Sequence, residues 1–355
     1  MNVLSLYDGM SCGMLAMLKA GIQVDNYYAY EIDKYAIKTS QHNFPKIKQC
    51  GDVFKGDYTQ YEGIDYLIGG SPCTFWSIAQ SPDKRETTAS GIGWELFSQY
   101  VRALHEAKPK FFIYENNKSM SKAIRESITE TFGFEPICIN SARLSAQNRQ
   151  RLYWVGKRNA DGTYSKIDVE QPKDKGILLK DVLDGVTDRE KGRAVSDMTA
   201  RVIEPITNSS QVGSLPRPNG ELSISQAFRI YDINAKSVTL KAGGGGAGGK
   251  TGLYAVPIEF DGDIPTKAVS YADGKTYKVY EVKDGQITIK EKQYPIKLQD
   301  GYYIIRKLTV SECKRLQTVP EWYGFPVSNT QAYKMLGNGW TVDVIVHLIN
   351  ATENT

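Results

Sequence analysis

Between residues 3 and 155 the chain alternates short apolar runs with stretches of helical periodicity. Strand-like runs fall at Val3 to Tyr7, Tyr27 to Tyr30, Asp65 to Ile68, Phe111 to Tyr114, Ile137 to Ile139 and Leu152 to Val155. Helical patterns separate them. Ser11 to Ala20 places Met14, Leu15 and Leu18 on one face and stops at Gly21. Asp33 to Asn43 follows, then a face of Phe97, Tyr100, Val101 and Leu104, then Ser121 to Thr131, ending near Gly133. A strand that must be followed by a helix before the next strand builds a largely parallel sheet with helices on both faces. The reading is therefore α/β and doubly wound, and ligands of such sheets bind at the carboxyl ends of the strands.

After about residue 160 the pattern changes. Short alternating runs such as Tyr277 to Val282 and Gln286 to Lys290 predict hairpins, with Asp273-Gly274 and Asp284-Gly285 as turns. Lys241 to Lys250 is glycine-rich and flanked by lysines, so it reads as a flexible linker or as a loop that lets backbone approach a polyanion. Helical character returns at the end. Thr309-x-x-Glu312 has the form of a capping box, and Val342, Ile345, Val346 and Ile349 form an apolar face. The division expected is one domain from residues 1–160 plus 325–355, with a smaller β-rich domain, 161–324, inserted.

Composition narrows the chemistry. The five cysteines (Cys12, Cys50, Cys73, Cys138, Cys313) are scattered, which argues against a disulfide framework and structural zinc. His42, His105 and His347 lie far apart and offer no triad or metal cluster. No metal is expected. No apolar run is long enough to span a bilayer, and the N-terminus reads as a strand rather than a signal peptide, so a cytoplasmic protein is expected. The net charge of +4 permits a nucleic-acid partner without demonstrating one.

The strand ends carry the chemistry. Tyr7-Asp8-Gly9 opens the first turn, and Glu31-Ile32 and Asp52-Val53 follow later strand ends. No G-x-G-x-x-G is present, which speaks against a nicotinamide-dependent oxidoreductase and fits an adenosine cofactor without a pyrophosphate, such as S-adenosylmethionine. In Gly69-Gly70-Ser71-Pro72-Cys73, the chain leaves a strand through two glycines, and Pro72 fixes the backbone and aims the thiol. Glu115 ends the Phe111 strand beside it, and Arg149 and Arg151, two apart on an extended segment, point the same way. They can hold a carbonyl or a carboxylate, or contact phosphate.

In this order the residues resemble the DNA cytosine-5 methyltransferases. The matches are Asp8-Gly9, Glu31, Gly51-Asp52-Val53, Gly70-Ser71-Pro72-Cys73, Glu115-Asn116, Gln147-x-Arg149-x-Arg151, Arg306-Lys307-Leu308-Thr309, Glu312, Arg315-Leu316-Gln317 and Leu336-Gly337-Asn338. The resemblance implies a Rossmann-like methyltransferase domain with an inserted target-recognition domain carrying the pair Thr239-Leu240. It implies Cys73 as nucleophile at C6 of a flipped-out cytosine, Glu115 at N3 and the exocyclic amine, Arg151 at O2, Arg149 in support, and Gly69-Gly70 as room for the cofactor and the flipped base. Tyr7, Asp8, Gly9, Glu31, Ile32, Asp52, Val53, Pro72, Asn338 and Trp340 would bind S-adenosylmethionine. Gln147, Ser77, Lys84, Arg85, Thr239 and Leu240 would meet double-stranded DNA, with Thr74 to Gly93 as a loop closing over it. A monomer in a bacterial cell or phage-infected host is expected. Ser71, Asn117 and Gly339-Trp340 depart from the usual motifs, and the first and last resemble the de novo branch of animals. The alternatives are the same chemistry on RNA and a catalytically silent DNA-binding regulator.

Overall fold

A computed structural model of the chain describes all residues except 79–80, 185–192, 195–207, 224, 245–246, 260–267 and 271–273. Asp273 of one predicted turn and Gly245-Gly246 of the glycine-rich run thus lie outside the described residues. The first sheet contains β1 (Asn2–Leu6), β2 (Asn26–Tyr30), β3 (Lys48–Gln49), β4 (Tyr66–Gly69), β5 (Phe111–Asn117), β6 (Ile137–Asn140), β7 (Gln150–Arg158) and β8 (Tyr164–Lys166). Their order is β3-β2-β1-β4-β5-β7-β6, with β8 also on β7. Strands β1 to β5 pair in parallel, while β7 is antiparallel to β5, β6 and β8. The parallel expectation therefore holds for every strand in this sheet but β7. The two-residue β3, polar in sequence, has no apolar run to announce it, so Tyr66–Gly69 is the fourth strand rather than the third.

Period-2 alternation sorts the strand residues onto two faces. Val3, Tyr66, Ile68, Phe111 and Ile113 join one core with α1 (Cys12–Lys19), α2 (Lys34–Asn43) and the C-terminal helices. Leu4, Leu6, Leu67, Phe112 and Tyr114 join another with α3 (Gly91–Ala107) and α4 (Lys122–Phe132). The side chain of Asp33 caps α2, that of Ser121 caps α4, and α4 ends on Gly133 at φ 81°. In α1 the buried face centres on Leu15, Ala16 and Met17. Leu18, expected with them, is exposed.

A second, largely antiparallel sheet comprises β9 (Arg193–Ala194), β10 (Gln211–Ser214), β11 (Arg229–Asp232), β12 (Leu253–Glu259), β13 (Ala268–Ser270), β14 (Thr276–Lys283), β15 (Gln286–Ile289), β16 (Lys292–Pro295) and β17 (Gly301–Arg306). Its β14–β15 hairpin turns at Asp284-Gly285, both at positive φ. The chain then forms α5 (Val310–Leu316), α6 (Asn329–Asn338) and α7 (Val342–Glu353). The Thr309–Glu312 capping box is complete. Near both ends of the expected insertion, hydrogen bonds tie the chain to the first sheet and its loops. Strand β8 belongs to the first sheet, and the carbonyl of Leu316, at the end of α5, accepts from Ser145 Oγ and Gln147 Nε2. The second sheet ends at Arg306, well before residue 324.

All five cysteines are free thiols, and no helix among the described residues is long and apolar enough to cross a membrane.

Candidate active site

Cys73 opens a short 3-10 turn immediately beyond β4, and both Trp76 and Ser77 donate their N–H to its carbonyl. Register then decides what lies beside it. Gly69 pairs with Tyr114 on the adjacent β5, so Gly70 arrives level with Glu115. A β-carbon on Gly70 would lie 2.7 Å from the Glu115 carbonyl oxygen and 2.8 Å from its Oε2. One on Gly69 would lie 2.6 Å from the Leu6 carbonyl oxygen, with the Tyr100 ring next. The two glycines therefore make room for neighbouring protein atoms. That corrects their reading as space for a cofactor and a base.

Glu115 is held from two sides. On the other side of β5, Glu115 pairs with Tyr153 of β7, and Arg151 is the next residue along that face. Arg151 Nε reaches Glu115 Oε1 at 3.1 Å, and Trp340 Nε1 donates to Glu115 Oε2 at 2.8 Å. Because β7 is reversed, its first residues lie at the carboxyl ends of the parallel strands, where the thiol is.

Arg149 does not share the task of Arg151. It is buried, and its guanidinium donates to the carbonyls of Leu240, Gly337 and Gly339 at 3.2, 3.1 and 2.9 Å. Burial, and then the like charge of Arg151, lower its pKa, while the negative charge of Glu115 pulls it back up. It braces the site from behind. Gln147 is likewise completely buried: its amide donates to Leu316 O and Gln317 Oε1 and accepts from Leu240 N–H. Leu240 is buried, and Thr239 Oγ1 donates to Asn148 O. In this conformation Gln147 and Leu240 join the inserted segment to the first domain rather than face a groove. Sequence alone cannot separate a buried amide from a DNA-reading one.

The cofactor candidates converge on the carboxyl ends of β1, β2 and β3. Glu31 accepts from Gly9 N–H through Oε2 and from the N–H groups of Ile32 and Asp33 through Oε1, all at 2.8 Å, so it ties the first two turns together. Ile32 is 74% exposed, an apolar surface offered at a strand end. Asp52 accepts from Phe54 N–H and caps the turn containing buried Val53. Pro72 and Asn338 are exposed. Tyr7 has φ 59° and its hydroxyl donates to the carbonyl of Leu96. Asp8 differs from the rest. It is buried and accepts from the hydroxyls of Ser5, Ser11 and Tyr27, so it shapes the turn from beneath. Burial pushes its carboxyl up to about 6 against the pull of those donors.

Two features escape sequence reasoning. Ser71 is buried, its Oγ lies 2.7 Å from the Tyr114 hydroxyl, and its carbonyl accepts from Asn116 Nδ2, which links the ends of β4 and β5. Beyond Cys73, Trp76 is buried and its Nε1 donates to Glu86, whose carboxylate also accepts from Gly93 N–H. That carboxylate pins the two ends of the segment carrying Ser77, exposed Lys84 and half-buried Arg85. The base of the glycine-rich run is closed by Lys241 N–H donating to Lys250 O, and it packs against the Gly337 turn.

The sequence profile described as C-5 cytosine-specific DNA methylase matches residues 1–354. The chain belongs to the C-5 cytosine-specific DNA methylase family. Membership makes its reaction class methyl transfer to C5 of cytosine in DNA and implies S-adenosylmethionine as donor. The chain is 28% identical to the orphan methyltransferase M.Rho11sI of Bacillus phage rho11s, over 77% of this chain and 65% of that protein. It is 26% identical to the orphan methyltransferase M.SPRI of Bacillus phage SPR, over all of this chain and 98% of that one. It is 25% identical to the type II methyltransferase M.HhaI of Haemophilus parahaemolyticus, over 98% and 93%. Among solved structures, the Entamoeba histolytica methyltransferase EhMeth superposes with a TM-score of 0.59 at 14% identity, covering 99% of this chain and 98% of that one. Dnmt2 of S. pombe gives 0.57 at 15%, with the same coverage. These share the methylase fold, with its Rossmann-like sheet.

Proposed function

We propose that this methylase attacks a cytosine flipped out of double-stranded DNA, with Cys73 as nucleophile and Glu115 and Arg151 gripping the base. The carrying observation is the Arg151–Glu115 pair at 3.1 Å, level with Gly70 and three residues from Cys73. The Cys73 thiolate adds to C6, and its electron pair displaces ring electrons toward C5 while N3 gains a proton from Glu115. Arg151 holds O2. After methylation the C5 proton passes to solvent water, its bonding pair re-forms the C5–C6 double bond and expels Cys73 as thiolate, and N3 returns its proton to Glu115. A cytosine stacked in a duplex cannot meet these groups, so the base leaves the stack.

The residues present fit S-adenosylmethionine: carboxylates at two successive strand ends (Glu31, Asp52), backbone at Gly9 and the exposed apolar face of Ile32. Asn338 completes the proposed cradle from the end of α6, while the Trp340 indole N–H, expected there too, is engaged by Glu115 instead. When bound, the cofactor supplies an electrophilic methyl group. Ser77, Lys84, Arg85 and Thr239 remain the proposed DNA contacts, and the chain is proposed to act as a monomer.

Incubation with S-adenosylmethionine and duplex DNA containing 5-fluorocytosine tests the reading. A stable covalent protein–DNA adduct is expected, and Cys73→Ala abolishes it. An adduct formed on RNA alone would transfer the chemistry to RNA. No adduct on either polymer overturns the proposal.

A further inference from the structure

Trp340 stands where a small residue is usual in the motif, and the structure gives its ring a specific partner. We infer that Trp340 is a positioning residue for Glu115, and through it for selection of cytosine. The inference rests on the preceding reading that Glu115 grips the base.

A strand carboxylate is free to rotate about its side-chain bonds unless both oxygens are anchored. Here each oxygen has its own donor, from a different element. Arg151 Nε on β7 takes Oε1, and the Trp340 indole N–H takes Oε2. Both partners are donors only, so neither can reverse its role. A carboxylate has about four acceptor sites. With one site on each oxygen filled, one on each is left, in a fixed plane. That arrangement complements an edge bearing two adjacent donors, the cytosine amine and a protonated N3. Thymine and uracil present a carbonyl oxygen at the amine position, which would face a carboxylate oxygen already locked as an acceptor.

The turn that carries Trp340 is itself braced. The Gly339 carbonyl accepts from Arg149 Nη2 at 2.9 Å and from Gln317 Nε2 at 3.0 Å. The same nitrogens hold the carbonyls of Gly337 and Leu336. A β-carbon on Gly339 would meet Met335 O at 3.0 Å and Cys12 Sγ at 3.2 Å. Arg149 therefore acts on Glu115 through this turn, without touching the base.

Trp340→Phe keeps an aromatic ring, though a smaller one, and deletes the N–H. Three quantities are measured on the full chain: S-adenosylmethionine affinity, single-turnover methyl transfer at saturating cofactor and DNA, and the rate of 5-fluorocytosine adduct formation. The saturated rate is expected to fall about tenfold, the loss of one hydrogen bond to a charged group, with cofactor affinity within about twofold. In a Glu115→Gln background the same change is expected to slow adduct formation less than about twofold, because the two residues act as one unit. Weakened cofactor binding with an unchanged saturated rate would assign Trp340 to the cofactor and overturn the inference. So would a full tenfold loss on top of Glu115→Gln. If thermal melting shows that Trp340→Phe does not fold, Trp340→Met, which also lacks a donor, is measured instead and the same split is expected. Wild-type protein that methylates no cytosine removes the underlying reading. An active wild type with an unaffected Trp340→Phe variant overturns the inference alone.

Discussion

Single atoms decide much of this site. Gly70 is tolerated only as glycine because the Glu115 carbonyl, a backbone atom, fills the place of a β-carbon. Gly70→Ala must push β4 and β5 apart at the ends that carry Cys73 and Glu115. We predict a stability loss of roughly 1–3 kcal/mol from overpacking. Methyl transfer should fall by about a hundredfold, because a misplacement near 1 Å costs that much. Chemical denaturation and single-turnover kinetics check the two effects separately. At this scale the sequence was legible where chemistry is rare. A cysteine set against a proline, a glutamate at a strand end and an arginine on an extended segment all stand out, and the structure brings Glu115 and Arg151 together. It was illegible where a common residue does uncommon work. Ser71 stands out in the letters only as a departure from the motif, and nothing there announces its bond to Tyr114. Nothing assigns Arg149 and Arg151, two apart, to different partners.

Elements impose a different logic. The turn between β1 and α1 is built over Asp8, whose three hydroxyl donors do not offset its burial. Its folded carboxyl titrates at about 6, above the ordinary value of 3.8. A raised acid favours the folded state when protonated. The contribution is fully present below about pH 4 and lost as the pH rises through about 6. The difference is on the order of 3 kcal/mol. Asp8→Asn is therefore expected to flatten the change in melting temperature between about pH 4 and pH 6.5, and a melting series in both proteins measures it. Strand positions were readable because buried strands are apolar runs. Direction was not, because an apolar run reads the same whichever way it crosses the sheet. The reversal of β7 depends on β6 preceding it and leaving a gap beside β5, a fact about packing order that no local pattern holds.

Across the whole molecule, the return from the second sheet passes through one buried ion pair. Arg306 ends β17, and its guanidinium grips both oxygens of Glu312 at 2.8 and 2.6 Å, with neither side chain exposed. Glu312 also accepts from Thr309 N–H and Asp184 N–H, so it joins α5 to the sheet and to the segment entering the insertion. Glu312→Ala takes one carboxylate from the buried guanidinium and an acceptor from the N–H groups of Thr309 and Asp184, and a loss of about 3 kcal/mol is expected. Equilibrium unfolding of the variant tests it. A loss under about 1 kcal/mol would show that the pair is dispensable. Charge and motif order made the inserted architecture legible, but not its seams. Those seams are hydrogen bonds, such as Ser145 to Leu316, between residues 171 apart in sequence.

One such seam bears on how the inserted segment could be exchanged between relatives. The guanidinium of Arg149 closes on the Leu240 carbonyl from the insertion and on two carbonyls of the α6–α7 turn. Residues 237–240 are thus part of the catalytic body in all but chain position. A graft that begins after Leu240 and returns before Arg306 keeps that socket and the ion pair intact. A graft cut at the ends of the whole variable segment would put foreign backbone against Arg149 and disturb the turn that carries Trp340.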